Sequence, residues 1–313
     1  MTYTLGEYDT FRCIASACPD TCCIGWDVVI DDDAAARYET MDDALGGKIR
    51  ERLTIDEDGD RIFARENGRC PFLCTDGLCA IQREKGERTL PLTCRRFPRI
   101  LQQYADFTES CLSISCPEAA RLYLRAQTLR FPDPVTADTA LAQLIALRRQ
   151  WTNILQNRTV PFPERLCAVL CDAMQQSGYT SQEPGSETPD ELFRFLHTLD
   201  LMTEDFARLT TSCLTARNAD WTVLENLSVC VLYRYLLQAV SDGDILLRVQ
   251  QMLACVTFAA FANCDAADAA RLFCKEVEHS YENLDAVYDA CYTHPAFAPE
   301  TFLRIWGDRY ESA

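Results

Sequence analysis

The sequence lacks a hydrophobic run long enough to cross a bilayer. The longest apolar stretch lies around residues 254–262, whereas a transmembrane helix needs roughly 20 apolar residues. The opening segment MTYTLGE also lacks the basic start, the apolar segment and the cleavage site of a secretory signal. We therefore expect a soluble cytoplasmic protein with reduced thiols and no membrane partner.

Positive charge is also in short supply. Lysine occurs only at Lys48, Lys85 and Lys275, and 47 acidic residues outnumber 30 basic ones, which gives a formal net charge of −17. Nucleic-acid binding depends on clustered Lys and Arg that neutralise phosphates, so we expect no nucleic-acid partner. An acidic surface attracts cationic partners instead, including those that present lysine.

Cysteine, by contrast, is abundant. Ten of the 18 cysteines fall in four groups near the start of the chain: Cys13, Cys18, Cys22 and Cys23; Cys70, Cys74 and Cys79; Cys94; Cys111 and Cys116. Thiolates bind zinc and iron–sulfur clusters tightly, and short loops let several sulfurs converge. A disulfide framework belongs mainly to secreted proteins and small scaffolds. The spacing therefore favours a metal site.

The remaining cysteines occur one or two at a time within helical patterns. Free cysteine behaves as a small hydrophobic residue, so we expect these side chains to lie in the core. They are Cys167, Cys171, Cys213, Cys230, Cys255, Cys264, Cys274 and Cys291.

The pattern of residues predicts a mainly α protein in two parts. Residues 1–130 form a cysteine-rich, loop-rich metal-binding module, with a strand at 25–30, a helix from the acidic run at 31–33 to about residue 53, a short strand at 61–64, loop over 68–98 and a helix that starts at Pro117. Residues 131–313 form an all-α helical domain, since apolar residues recur every three or four positions. Beyond residue 160 the expected helices cover about 163–176, 189–214, 221–240, 244–262, 265–280 and 284–293, with a mobile connection over 177–189.

Four motifs occur in a fixed order: Cys18-x3-Cys22-Cys23 with Gly25-Trp26; Cys70-Pro71-Phe72-Leu73 with Gly77-Leu78-Cys79; Cys94-Arg95-Arg96-Phe97-Pro98-Arg99; Ser115-Cys116-Pro117-Glu118. In this order they resemble the flagellin lysine N-methylases over about residues 8–130. The resemblance then thins to scattered matches such as Ile154-Leu155-Gln156-Asn157-Arg158 and Glu225-Asn226.

The resemblance implies a metal-ligand set and a cofactor. The cysteines that match the family are Cys13, Cys18, Cys22, Cys23, Cys70, Cys79, Cys94 and Cys116, whereas Cys74 and Cys111 depart from its pattern. They are more than one site needs, so either two centres form or some thiols only pack nearby. The family points to a single [4Fe–4S] cluster, with zinc as the alternative. Arg95, Arg96 and Arg99 would suit the negative charge of a cluster or serve as surface ion-pair partners.

The activity that the resemblance implies is methyl transfer from S-adenosylmethionine to lysine side chains of flagellin or another lysine-bearing protein. Lysine attacks only when neutral, so a group must lower its pKa or accept its proton. Candidates in the helical domain are Glu225, Tyr233, Tyr235, Glu278 and Tyr281. We favour Glu225 and Tyr233 as catalytic residues; they are too far apart in sequence to touch directly but lie near one face of a helix. The alternative for each candidate is an ordinary helix residue.

Two familiar cofactor motifs are missing. No G-x-G turn follows a strand, so a Rossmann cradle is not visible. The C-x3-C-x2-C spacing of radical enzymes is absent too, because Cys23 follows Cys22 directly and Cys79 comes too late after Cys74. Two other functions therefore stay open: a metal-stapled interaction module without enzymatic activity, and a redox or electron-transfer protein.

Overall fold

The computed structural model describes residues 1–181, 187–217 and 220–307. The chain forms two compact units. The cysteine-rich unit comprises Arg12–Ile100, and the helical unit comprises Met1–Phe11 together with the described residues from Leu101 onward. Each unit has its own core.

The elements are numbered in chain order. The helices are α1 (Asp32–Glu39), α2 (Ala44–Arg52), α3 (Ala80–Lys85), α4 (Leu92–Arg96), α5 (Pro117–Leu124), α6 (Thr139–Leu155), α7 (Phe162–Gln176), α8 (Pro189–Leu196), α9 (Glu204–Leu209), α10 (Trp221–Tyr235), α11 (Ala239–Asp242), α12 (Ile245–Phe261), α13 (Ala266–Glu278), α14 (Tyr281–Thr293) and α15 (Pro299–Trp306). The strands are β1 (Thr2–Thr4), β2 (Leu53–Ile55), β3 (Arg61–Phe63), β4 (Arg99–Gln103) and β5 (Thr108–Leu112). Short 3-10 helices cover Tyr8–Thr10, Ala15–Ala17, Glu87–Thr89, Leu236–Gln238 and Pro295–Phe297.

The helix predicted from residue 31 to about 53 is two helices. Asp31 caps α1 as expected, since its carboxylate accepts a hydrogen bond from the Ala34 amide at 3.0 Å. The single-helix prediction was wrong because Asp43 begins a second helix, accepting from the Gly46 amide at 2.8 Å. A side chain that satisfies the free amides of a first turn favours a new helix start at that point.

The expected strand over residues 25–30 was also wrong. This segment makes only an isolated bridge, between Val29 and Ile62, whereas β3 forms as predicted and pairs antiparallel with β2. The segment 68–98 contains the short helices α3 and α4, which the sequence analysis missed. The core of the unit is built from Val28, Ile30, Ala34, Ala35, Tyr38, Leu45, Ile49, Phe63, Phe72, Ile81 and Leu90.

The helical unit starts with a small sheet of order β1-β5-β4. Strand β1 runs parallel to β5, with Thr2 opposite Thr108. Residues 101–130 therefore belong to this unit, where α5 packs on α10 and α13, and not to a module that ends at residue 130. The all-α description fits the described residues beyond 130, which contain no named strand, but it misses this sheet.

Most predicted helices beyond residue 130 are present, with two corrections. The expected helix over 189–214 is interrupted, because Thr203 caps α9 through a hydrogen bond from the Phe206 amide at 3.3 Å. Helix α15 was not predicted. The expected connection over 177–189 lies between α7 and α8, and its residues 182–186 are outside the described part of the chain.

One helical stretch among the described residues, Trp221–Asp242, is long and apolar enough to span a membrane by length and composition, with a mean hydropathy of 1.2. The sequence analysis did not anticipate it. Its apolar window is 83% buried inside the protein, and the stretch also buries polar side chains such as Glu225 and Asn226. It packs on α12 and α5, which is the arrangement of a core helix.

Candidate functional site

The loops of the cysteine-rich unit bring distant cysteines together through backbone hydrogen bonds. The Cys70 amide donates to the Cys23 carbonyl at 2.8 Å, which joins the first and second cysteine groups. A tight turn then returns the chain, since the Cys74 amide donates to the Leu78 carbonyl at 2.8 Å and Leu73 bridges Cys79. The first and second cysteine motifs, which are far apart in the sequence, are therefore neighbours in the fold.

The thiols of this region interact with one another. Hydrogen bonds from the Cys22 and Cys70 thiols lower the pKa of Cys23, and the same bonds raise the pKa of the two donors. Burial raises the pKa of Cys94 to about 12 and also raises that of Cys79, and the charge on Cys23 adds to both shifts. We call Cys22, Cys23, Cys70, Cys79 and Cys94 the thiol cluster.

The thiol cluster includes only part of the predicted ligand set. Cys13 lies close enough to affect Cys22 electrostatically, and Cys18 follows the 3-10 helix Ala15–Ala17. Cys116 belongs to the helical unit, where it begins α5. Cys74, which departs from the family pattern, accepts a hydrogen bond from Arg83 at 3.2 Å.

Among the described residues, no group of three His, Cys, Asp or Glu side chains is arranged so that it could hold a metal ion. The chemistry of the donors nevertheless fits one, because an all-sulfur set suits zinc or an iron–sulfur cluster. A second observation agrees with a negatively charged group. The Nε atom of Arg95, next to Cys94 in α4, is buried and has no hydrogen-bond partner within the described structure.

A cleft of about 550 Å³ opens in the helical unit between the start of α7 and the start of α10. Glu225 lines it and is 1% exposed. Its carboxylate accepts hydrogen bonds from Arg158 at 2.9, 3.1 and 3.2 Å and from Arg165 at 2.7 Å. We call this the arginine cleft. The two arginines occupy both oxygens of Glu225.

Arg217 is the third arginine that lines this cleft, and it is 8% exposed. Its guanidinium lies 5.4 Å from the ring of Trp306, and its Nη1 atom donates to the Trp306 carbonyl at 3.5 Å. Its Nε atom is buried without a hydrogen-bond partner, and no carboxylate in the described part of the chain pairs with it. Burial lowers the pKa of Arg217, because a charged group loses its hydration there.

Tyr233 has different surroundings from Glu225. Its hydroxyl donates to the Tyr3 carbonyl at 3.1 Å, and Arg148 lies 4.7 Å above its ring. Arg148 is itself fully buried and paired with Glu109. Burial raises the pKa of Tyr233. The two favoured catalytic residues thus lie on one helix, but the structure gives them separate partners.

The other three candidates are also apart from the arginine cleft. Glu278 accepts a hydrogen bond from Ser113 at 3.3 Å and lies 3.5 Å from Arg234. Tyr235 is buried, with Arg234 5.0 Å from its ring centre. Tyr281 is 86% exposed. None of the three lines the arginine cleft.

A second cleft, of about 690 Å³, lies where α12 and α15 begin and α14 ends. Among the described residues its lining includes Glu187, Asp242, Asp244, Glu300 and His294 but no lysine or arginine, and Asp242 is already paired with Arg248. Tyr292 donates its hydroxyl hydrogen to Asp244, and this bond raises the pKa of Tyr292 to about 12. We call this the acidic cleft. A cation is the ligand that such a lining favours.

The sequence analysis missed the residues that surround Glu225. Arg158 could have been found from the sequence. It ends one of the two segments beyond residue 130 that match the family, and Glu225 begins the other. The fold joins these two segments through the ion pair. Arg217 and the acidic cleft carried no signal, because isolated charges in loops and at helix ends look like ordinary surface residues.

Comparisons with known proteins give three relatives. The chain is 34% identical over 120 residues to the flagellar biosynthetic protein FliU of Salmonella muenchen, an alignment that covers 34% of this chain and 68% of that protein. It is 25% identical over 248 residues to lysine-N-methylase from Salmonella typhimurium and from Salmonella choleraesuis, covering 75% of this chain and 56% of each relative. The chain thus aligns with little more than half the length of the lysine-N-methylases. No family model and no solved structure matches it.

Proposed function

This chain belongs to the family of the flagellar protein FliU and lysine-N-methylase, and from this we propose that it transfers methyl groups to lysine side chains of a protein. Flagellin is the substrate that we propose, and S-adenosylmethionine is the methyl donor. The observation that carries the proposal is the alignment with lysine-N-methylase over 75% of the chain. We place the reaction in the cytoplasm, where thiols stay reduced.

The acidic cleft supports a lysine substrate. Asp244 and Glu300 line it and each accepts a hydrogen bond from a tyrosine, Tyr292 and Tyr179 respectively. Carboxylates attract an ammonium group, and aromatic rings pack well against the methylene chain that carries it. We propose that a substrate lysine enters this cleft.

Methyl transfer requires the lysine nitrogen to lose its proton before it attacks. In the acidic cleft the nearest acceptors are carboxylates, and we assign the role of acceptor to Asp244. Its two oxygens accept hydrogen bonds from the Leu247 amide and the Tyr292 hydroxyl, so Asp244, like Glu225, would have to give up a contact to take the proton. S-adenosylmethionine supplies, when bound, an activated methyl group that needs no electron transfer.

A catalytic role for Glu225 or Tyr233 stays a prediction. Each would have to give up a contact in order to act. Glu225 would have to release one of two arginines, and Tyr233 would have to release the Tyr3 carbonyl. Their present bonds favour a structural role for Tyr233 and an anchoring role for Glu225 in its cleft.

The thiol cluster is where we propose that a [4Fe–4S] cluster or zinc is held. Cys23, Cys70, Cys79 and Cys94 are the residues we assign to it, because Cys70, Cys79 and Cys94 pack against one core and the Cys70 amide bonds the Cys23 carbonyl. Cys22, the neighbour of Cys23 in the chain, is the next candidate, together with Cys13, which affects Cys22 electrostatically. We propose a structural role for the metal, since direct methyl transfer needs no redox step.

The experiment is a methylation assay with the purified protein, unmethylated flagellin and S-adenosylmethionine, read by intact mass and peptide mapping. We expect mass gains of whole methyl groups on lysine residues. The Asp244→Asn variant should lose most of the activity, and Asp205→Asn, an exposed position outside both clefts, should keep it.

Two outcomes would contradict the proposal. If anaerobically purified protein with its metal leaves flagellin unmodified, then the substrate or the activity is wrong. If it methylates flagellin but Asp244→Asn does so equally well, then the acidic cleft is not the lysine site.

A further inference from the structure

The arginine cleft is locally basic in a protein whose overall charge is acidic. The whole chain carries a net charge of −17, yet Arg158, Arg165 and Arg217 face a single carboxylate in this cleft. Burying a guanidinium costs free energy unless a partner compensates for it. Glu225 serves this purpose for Arg165, but Arg217 has no carboxylate partner within the described residues.

The backbone adds to the positive potential. Helix α7 is 15 residues long, and Pro161, Phe162 and Pro163 at its start line the cleft. No side chain caps this end, although Pro163 has no amide hydrogen to offer and Glu164 places an acidic group in the same turn, so the helix end adds only its dipole to the charge of Arg217. Helix N-termini favour anions for this reason. Arginine pairs with carboxylate or phosphate through two parallel hydrogen bonds, which adds geometric selectivity.

Part of the lining, including the start of α7, is apolar and aromatic. Trp221 is half-buried, and its ring lies 5.9 Å from that of Phe162 at an angle of 38°. Val160, Pro161 and Pro163 complete this wall. A flat ring gains most from such a surface, because aromatic groups attract one another by stacking and by edge contacts. The volume of about 550 Å³ lies within the roughly 300–1,000 Å³ of small-molecule sites.

We propose that the arginine cleft binds a small molecule in which a flat ring and an oxyanion are joined, with the oxyanion at Arg217 and the ring against Trp221. This chemistry has two sources. A nucleoside phosphate carries it as base and phosphate, and S-adenosylmethionine carries it as adenine and α-carboxylate. The second source rests on the proposed function. The arginine cleft lies at the start of α7 and the acidic cleft at its end, about 20 Å away along this helix, so this source requires the substrate lysine to enter the arginine cleft instead. The first source is independent of the proposed function.

The test is isothermal titration of the whole protein with two probes, adenosine 5′-monophosphate and S-adenosylhomocysteine. Arg217→Gln removes the charge of the buried guanidinium. Thr159→Glu places a carboxylate on the exposed rim of the cleft, where it is expected to leave the fold intact. Arg208→Gln is the control, because Arg208 is 75% exposed and lies outside the cleft.

We expect at least one probe to bind. Arg217→Gln and Thr159→Glu should each weaken that binding by about tenfold or more, since a charge-assisted hydrogen bond is lost or a like charge is added. Arg208→Gln should leave binding unchanged. If circular dichroism shows that Arg217→Gln does not fold, the loss of probe binding in Thr159→Glu is the test. The probe that binds more tightly identifies the source.

The inference is overturned if neither probe binds, or if binding is the same in both cleft variants as in the unaltered protein. The experiment distinguishes failure of this inference from failure of the proposed function. Binding of S-adenosylhomocysteine that ignores both variants would move the cofactor site elsewhere and leave methyl transfer intact. Binding of the monophosphate in a protein that does not methylate flagellin would overturn the proposed function alone.

Discussion

Arg158 donates three hydrogen bonds to the carboxylate of Glu225, although 67 residues separate them in the chain. They belong to the two short segments beyond residue 130 where the sequence resembles the family. The same carboxylate also accepts from Arg165, whose side chain is 5% exposed. One carboxylate therefore fixes the end of α6 and the start of α7 against α10.

Replacing Glu225 should destabilise the protein strongly. In Glu225→Gln the buried Arg165 keeps its charge and loses its counter-charge, and breaking a buried pair in this way costs about 3–5 kcal/mol. Asp205→Asn is the matched control, because its pair with Arg208 is exposed and worth less than about 1 kcal/mol. Urea denaturation measures both. Equal losses in the two variants would show that Glu225 does not anchor these helices.

Replacing Cys94 should remove the metal. Cys94 and Cys171 are both cysteines in helices, but Cys94 contributes to the thiol cluster and Cys171 is exposed on α7. We expect Cys94→Ser to lose most of its iron or zinc on anaerobic purification and Cys171→Ser to keep it. Iron, sulfide and zinc analysis decides between the two metals as well. A Cys94→Ser protein with full metal content would contradict the ligand assignment.

Asp31 should make stability depend on acid pH. Burial opposes its charge, but hydrogen bonds from the Leu92 amide at 2.6 Å and the Ala34 amide outweigh it, so the pKa of Asp31 is lowered. A lowered pKa in the folded state contributes stability that is present above the unfolded value of about 3.9 and disappears as the pH falls through the folded value. Asp31→Asn should therefore be less stable than the unaltered protein at neutral pH.

This difference should vanish in acid. Urea midpoints measured from neutral pH to about pH 2 would show the two curves converge below the unfolded pKa. Asp33→Asn lies in the same first turn but is exposed, and its curve should stay close to that of the unaltered protein. A constant gap between Asp31→Asn and the unaltered protein at all pH values would rule out the charged cap.

Asp244 should control the acidity of Tyr292. Their hydrogen bond raises the pKa of Tyr292 to about 12, because a tyrosinate would face the carboxylate. In Asp244→Asn that pKa should fall towards its usual value of about 10. Ultraviolet titration measures this pKa. The signal of Tyr292 is the difference between the protein with Tyr292 and the Tyr292→Phe variant, measured once with Asp244 and once with Asp244→Asn. An unchanged titration in Asp244→Asn would mean that the pair does not form in solution.

The sequence predicted the helices well and the small sheet not at all. Helices α6, α7, α10, α12 and α13 have long periodic apolar faces, which are the strongest local signal. Strand β5 reads Thr-Glu-Ser-Cys-Leu and buries Glu109 and Ser110, so its pattern is not that of an apolar strand. Glu109 is buried because Arg148 pairs with it, and that partner lies 39 residues away.

The candidate site was predictable to a similar extent. Repeated short-range spacing marked the cysteines as metal ligands, which stays a prediction, and the fold brings Cys22, Cys23 and Cys70 into contact. The two clefts depend instead on single residues from several helix ends. Arg217 has a role only when the helices have packed, because no local pattern distinguishes it from a solvated charge. Asp244 has a local signal as the cap of α12, but its bond to Tyr292 forms only when α14 packs beside it.

The parallel pairing of β1 with β5 bears on how the chain assembles during synthesis. Residues 2–4 leave the ribosome early and cannot find their partner until residues 108–112 follow. The whole cysteine-rich unit, through Cys94, emerges in between. Since domains generally fold as units while the chain grows, the cysteine-rich unit can fold before the first strand of the helical unit is incorporated. The cysteines of the thiol cluster are therefore all present in the nascent chain ahead of the clefts that the later helices form.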